Sequence, residues 1–378
     1  MEVYPKVQNS NKSIFTHTML TKIALALVLV SHFSILAAEL PVPIDSGEEG
    51  IQAALDKLPS GGEVLLGAGK YLIHQPIIMR KDHQTLRGCG ADTVLYLADG
   101  ADCPVVLLGS PSDTAAPTKD VHLANLSIDG NRSHQPQEVW RVLSSGAGLY
   151  NNGVDVWNVD GATVENVVCC RCRSGGMVTS GRTRRLTVRD FTAFDNQFDG
   201  LACYFTEDCD FSRLNLHDNL SAGISLDLNF NHNVIHDSVL TGNDLGIFMR
   251  QSRDNLFQGL TIQKSRHHGV FMAQSFVGTA SGLQPCLGSE CAGNTFDKLE
   301  VAHCGGKGFL VNDVTCTNNV ICGGHFADDA QGDLGQASPN LISLRAQEMA
   351  NNPIHLEPAI SHQRSDRVAG GQDTRKAL

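Results

Sequence analysis

The stretch GISLDLNFNHNVIHDSVLTGNDL beginning at Gly223 restarts 23 residues later as GIFMR at Gly246. The same opening, a glycine followed by an apolar residue, occurs as GVDVW at Gly153, GMVTS at Gly176, GLACY at Gly200, GVFMA at Gly269 and GFLVN at Gly308. Successive steps are 23, 24, 23, 23, 23 and 39 residues. A period in this range marks a stack of repeats, each burying its apolar side against its neighbours. Each unit holds short apolar runs bounded by Gly, Asn, Asp and Ser, with no 3.6-residue stripe and no L-x-x-L-x-L pattern. Such runs read as strands and turns, which excludes helical and leucine-rich repeats.

A coil of this length holds three short strands, each pairing with its equivalents about 4.8 Å above and below. The spacing therefore predicts an all-β, single-stranded parallel β-helix over residues 39–330, with a C-terminal tail, partly disordered, over 331–378. Glycine is expected at the corners for its access to positive φ. Asn233, Asn255, Asn294 and Asn319 precede the second strand at similar offsets and are expected to form a side-chain ladder.

Lys22, the uncharged run IALALVLVSHFSIL and a following AAE have the form of a signal peptide over 1–38, with Met19 as an alternative start. The run is too short for a membrane span, so the mature chain is expected to be secreted or periplasmic, with no membrane span, and monomeric. The net charge is −11 and becomes more acidic without the leader, which argues against nucleic acid as a partner. Twelve cysteines in an exported chain permit disulfides. Cys286 and Cys291, flanking LGSE in the extra residues of the 39-residue step, form the first candidate pair. Cys169, Cys170 and Cys172 have no second cluster at zinc spacing.

Residues 50–97 contain a short amphipathic helix, a Gly-Gly turn, a strand, G-K-Y and the turn L-R-G-C-G, and residues 121–132 end in D-G-N-R. With the repeats that follow, this pattern resembles the pectate-lyase-like superfamily of right-handed parallel β-helix proteins across residues 45–330. The resemblance implies a right-handed coil capped by the helix, in which Ile51, Ala54, Leu55 and Leu58 face the first coil. It also implies a group that includes polysaccharide lyases, uronate epimerases, glycoside hydrolases and non-catalytic surface proteins.

Stacking turns the repeats into columns. The residues one and three past each glycine are mostly apolar and face inward; the residue four past reads Trp157, Ser180, Tyr204, Asp227, Arg250, Ala273 and Asn312 and is expected to face solvent. Tyr204, Asp227 and Arg250 then lie on three successive rungs. Asp199, Asp244, His267 and His268 lie just before their glycines, at the edge of the same face. The catalytic candidates are Tyr204, Asp227, Arg250, His268 and Asp199; the substrate-binding candidates are Trp157, Asp155, Asp244 and His267. Two long loops, around 129–152 and after Ala273, are expected to wall the furrow. Arg182, Arg184, Arg185 and Arg189 are read as solvated.

This face suits a polysaccharide or oligosaccharide. In lyase or C5-epimerase chemistry on a uronate, Arg250 would neutralise the carboxylate while Tyr204 or His268 exchanges the C5 proton. Paired aspartates, Asp199 with Asp227 or Asp227 with Asp244, would instead serve a glycoside hydrolase. A non-catalytic glycan-binding or surface protein is the third reading. The epimerase tetrad D-P-H-D and the polygalacturonase set are absent from the chain. No cofactor is firmly implied, and calcium stays open.

Overall fold

The structure, a computed structural model, describes residues 39–344 apart from 111, 113–114, 144–145, 275, 280–281, 286–287, 289 and 340. The expected leader and the tail beyond 344 lie outside the described residues. The chain forms a right-handed parallel β-solenoid of about 12 turns with one short helix near its N-terminus. That helix, α1 (Gly47–Lys57), buries Ile51, Ala54 and Leu55 against the first coil, with Leu58 following at its end. The exposed edge of a solenoid needs such a plug.

The register reproduces the period of the sequence. In a ten-stranded parallel sheet, Val154 pairs with Met177, Met177 with Leu201, Leu201 with Ile224, Ile224 with Ile247, Ile247 with Val270 and Val270 with Phe309. These side chains and those two residues on are fully buried and fill the interior. Thr179 is the polar member, and its hydroxyl hydrogen-bonds to that of Thr206 at 2.6 Å. The stack continues past residue 330: Leu334–Gln336 pairs with Phe309–Val311, and Ile342–Leu344 with Asn319–Ile321.

Glycine recurs for a different reason from the one expected. None of the seven rung glycines has positive φ. A Cβ added to Gly246 would instead lie 2.3 Å from the carbonyl oxygen of Gly269, and one added to Gly223 would lie 2.9 Å from that of Gly246. The column is a line of close backbone approach. Left-handed corners fall mainly to polar residues, with Asn166, Asp190, Arg213 and Asp237 at one corner and Arg171, Asp195 and Asp218 at another. Asn and Asp tolerate this conformation because their short side chains bond the local backbone.

Two asparagine ladders satisfy buried backbone at the corners. In the expected one, Asn233 Nδ2 donates to Asn255 Oδ1 (3.2 Å), Asn255 to Asn294 (2.9 Å) and Asn294 to Asn319 (2.9 Å). A second, unforeseen ladder links Asn196, Asn219 and Asn243 at 2.9 Å per step. The two long loops carry antiparallel hairpins, Trp140–Leu143 with Gly146–Leu149 and Phe276–Thr279 with Gly282–Pro285. Cys286 lies outside the described residues, so its expected pairing with Cys291 does too. Arg184, Arg185 and Arg189 keep 53%, 62% and 41% of their side chains in solvent, as expected, and also pair with Asp208, Asp160 and Glu165 at 2.7–2.8 Å.

Candidate active site

The ten-stranded sheet brings Tyr204 opposite Asp227, and Leu226 opposite Met249, so that Arg250 follows Asp227 on the next rung. Arg250 N–H donates to Leu226 O at 2.8 Å, which fixes the base of its side chain. Its Nη2 donates to Asp227 Oδ2 at 2.5 Å, and the Leu228 N–H donates to Asp227 Oδ1 at 2.8 Å. The guanidinium carbon sits 5.1 Å from the centre of the Phe248 ring. Arg250 Nε is buried and has no hydrogen-bond partner. An ion pair this close is a charge-assisted bond that holds the guanidinium in one orientation.

Phe248 and Phe271 occupy the outward position two past their glycines, and their rings stack at 5.8 Å with an interplanar angle of 8°. His268 stacks on Phe271 at 5.6 Å and 14°. A half-buried aromatic row therefore crosses the face from His268 to Arg250. Sequence reading missed it, although the signal was present in the column Asp155, Val178, Ala202, Ser225, Phe248, Phe271, Leu310.

The candidates divide into two groups. His268 is equivalent to Leu245 and Ala222, five extended residues before Arg250 and Asp227 in the shared register. At about 3.3 Å per residue this is roughly 16 Å along the strands. Tyr204, Asp227 and Arg250 share one edge; Asp199, Asp244, His267 and His268 share the other. His268 and Arg250 therefore do not reach one sugar carbon together. Asp199 stands beside Ala222, whose N–H donates to its Oδ1 at 2.9 Å, and this places it about as far from Asp227. That span exceeds the roughly 5–9.5 Å that separates the carboxyls of a glycosidase. Asp244 lies farther still, paired to His267 Nδ1 at 2.8 Å.

Solvent exposure also departs from expectation. Asp155 is 1 % exposed, Asp199 1 %, Asp227 4 % and Trp157 4 %; Tyr204, Arg250, Asp244 and His268 are half-buried, and His267 is exposed. An outward register sets direction, not access to water. Leu107, Val178 and Ala202 make the column through Asp155 apolar, and it is buried. Trp157 lies across Gly181, where an added Cβ would sit 2.6 Å from its indole nitrogen, so the ring is a packing element rather than an open platform.

His268 Nδ1 accepts the Lys307 N–H at 2.9 Å, which leaves the ring proton on Nε2. Burial, with His267 and Lys307 nearby, pushes its pKa down to about 4, so the ring is neutral at neutral pH. On the 129–152 loop, burial pushes Glu138 up to about 7 against the opposing charge of Arg173. Among the described residues no group of three or more His, Cys, Asp or Glu is gathered to hold a metal, and no helix is long and apolar enough to cross a membrane.

The protein has a right-handed parallel β-helix fold. The family model described as periplasmic copper-binding protein (NosD) matches residues 124–284. Mannuronan C5-epimerase AlgE4 of Azotobacter vinelandii is 30% identical over 181 residues, 44% of this chain and 31% of that protein. Alginate lyase 7 of the same organism is 31% identical over 166 residues, 42% of this chain and 19% of that protein. The chain thus spans about a third or less of the length of the curated relatives it matches. Among solved structures, the A-module of A. vinelandii mannuronan C-5 epimerase AlgE6 aligns with a TM-score of 0.54 at 16% identity, covering 80% of this chain and 94% of that one. A double mutant of the periplasmic alginate epimerase AlgG aligns with a TM-score of 0.53 at 12% identity, covering 82% of each chain. These structural likenesses establish the fold.

Proposed function

We propose that the chain is an exported, monomeric enzyme that modifies a uronate-containing polysaccharide, by C5 epimerisation or by β-elimination. The observation that carries this reading is the Asp227–Arg250 pair beside the Phe248–Phe271 stack, with about a fifth of the Arg250 side chain open to solvent to meet an anion. The partial sequence similarity to mannuronan epimerases and an alginate lyase supports it.

In this scheme the uronate carboxylate pairs with Arg250 while Asp227 holds the guanidinium in place. The positive charge stabilises the electron density that moves onto the carboxylate as the C5 proton leaves. Tyr204, one rung beyond Asp227, exchanges that proton; His268, at the far edge, offers Nε2–H to a hydroxyl of a neighbouring sugar. A solvent proton delivered to the opposite face of C5 gives the epimer. Departure of the C4 oxygen with a solvent proton instead gives an unsaturated uronate.

The test is incubation with a panel of polyuronates and neutral glycans in deuterated water. Epimerisation appears as solvent deuterium at C5 with inverted configuration in the NMR spectrum, and elimination as new ultraviolet absorbance. New reducing ends with neither signal would overturn the reading in favour of hydrolysis. Binding without any turnover would overturn it in favour of a glycan-binding protein.

A further inference from the structure

The extra residues of the long rung leave the stack after Gln274 and rejoin it at Cys291. At the first foot, the Gln274 N–H donates to Asp313 at 3.0 Å. At the second, Arg253 Nη2 donates to Gly288 O at 3.1 Å and to Glu290 at 2.6 Å. Both feet are thus tied to neighbouring coils by polar contacts.

Where the chain rejoins, Thr295 pairs with Val320 and Phe296 with Ile321, and Asn294 stacks on Asn319. Three residues before each asparagine stand Cys291 and Cys316, so these two occupy equivalent places on adjacent coils. The Asn319 side chain confirms the proximity by donating to Cys291 O at 3.1 Å. Adjacent coils lie about 4.8 Å apart, inside the roughly 4.4–6.8 Å Cα separation that a disulfide bridges. Both residues are fully buried within one core cluster, and their thiols share a hydrogen bond.

We infer that Cys291 and Cys316 close to a disulfide that staples the foot of the insertion to the next coil. Each thiol gives up its proton, and the pair gives two electrons to a disulfide oxidant, whose S–S bond is reduced to two thiols. Because both sulfurs are buried in the finished fold, the bond forms while the coils are assembling. This pairing competes with the one to Cys286 suggested by sequence spacing, which lies outside the described residues.

The full chain is refolded from the reduced, denatured state in a mixture of reduced and oxidised glutathione. It is then alkylated, and digested with trypsin and a glutamate-specific protease, which separates Cys286 from Cys291. Fragment sequencing of unreduced peptides is expected to show Cys291 joined to Cys316. Cys286→Ser is expected to retain that link. Reduction should lower the melting temperature by roughly 5–10 °C in the parent chain and in Cys286→Ser. Cys316→Ser should show no such difference. Cys291 joined to Cys286, or Cys291 and Cys316 both alkylated after oxidative refolding, would overturn the assignment.

Discussion

Arg250 reaches back one rung to Asp227, Nη2 to Oδ2 at 2.5 Å, across two strands whose glycines stand 23 residues apart in the chain. Asp227 is buried, whereas Arg250 keeps about a fifth of its side chain in solvent and lies over Phe248. A buried carboxylate thereby fixes a partly exposed cation at the edge of an aromatic row.

Removing either partner is therefore expected to affect chemistry and stability differently. Asp227→Asn keeps the shape and frees the guanidinium to reorient; kcat/KM on the polyuronate should fall about 100-fold, mostly in kcat. Arg250→Ala strands a buried carboxylate and should cost about 2–4 kcal/mol of stability as well as turnover. Steady-state kinetics and denaturant melts measured on both variants check this, and parent-like turnover in the two would remove the proposed centre.

Phe248→Ala and Phe271→Ala should weaken substrate binding and leave the chemical step intact. An aromatic stacking contact is worth about 0.5–1.5 kcal/mol, so KM should rise about 3- to 10-fold with kcat nearly unchanged. An unchanged KM in both variants would move the sugar-binding surface elsewhere.

Stability should respond to pH through two groups with opposite sign. His268 has a folded pKa of about 4, below its ordinary value near 6.5, so its contribution is lost as pH falls from about 6.5 to 4. Glu138 has a folded pKa of about 7, above its ordinary value, so its contribution is present at low pH and lost as pH rises from about 4.5 to 7. Each is worth up to about 2–3 kcal/mol, solvent access to half-buried groups setting the lower end. Melting curves across this window should show Glu138→Gln relatively more stable at the alkaline end, and His268→Gln relatively more stable at the acid end.

The glycine column should tolerate no methyl group. In Gly246→Ala the new Cβ meets Gly269 O at 2.3 Å and Ile262 Cγ2 at 2.4 Å, atoms locked into the next coil. The expected loss is about 3 kcal/mol or more. At Gly100, φ is +68° but the space is open, and alanine should cost only about 1–2 kcal/mol. Comparing the two melts separates close approach from backbone handedness.

Much of the architecture was legible because the repeat is its own alignment. The step between Gly200, Gly223 and Gly246 already gave the pairing of Leu201 with Ile224 and Ile247, and the offsets of Asn233 and Asn255 gave one ladder. The ladder through Asn196, Asn219 and Asn243 follows from the same period and was overlooked. The candidate site was less legible. Columns identify which residues stack, but not how far along the strands two columns lie, so His268 and Arg250 were grouped across a width of roughly 16 Å. Nor do columns tell a platform such as Phe248 from a packed ring such as Trp157.

The sequence by itself determined the coil, its register and the direction of each side chain, because a 23-residue period repeats the same local choices at every rung. Only the tertiary structure decided which outward residues stay out of water and that the ionisable groups stand at two separate edges. Direction follows from backbone alternation within one strand, whereas burial and proximity depend on chain segments distant in sequence that the period does not encode.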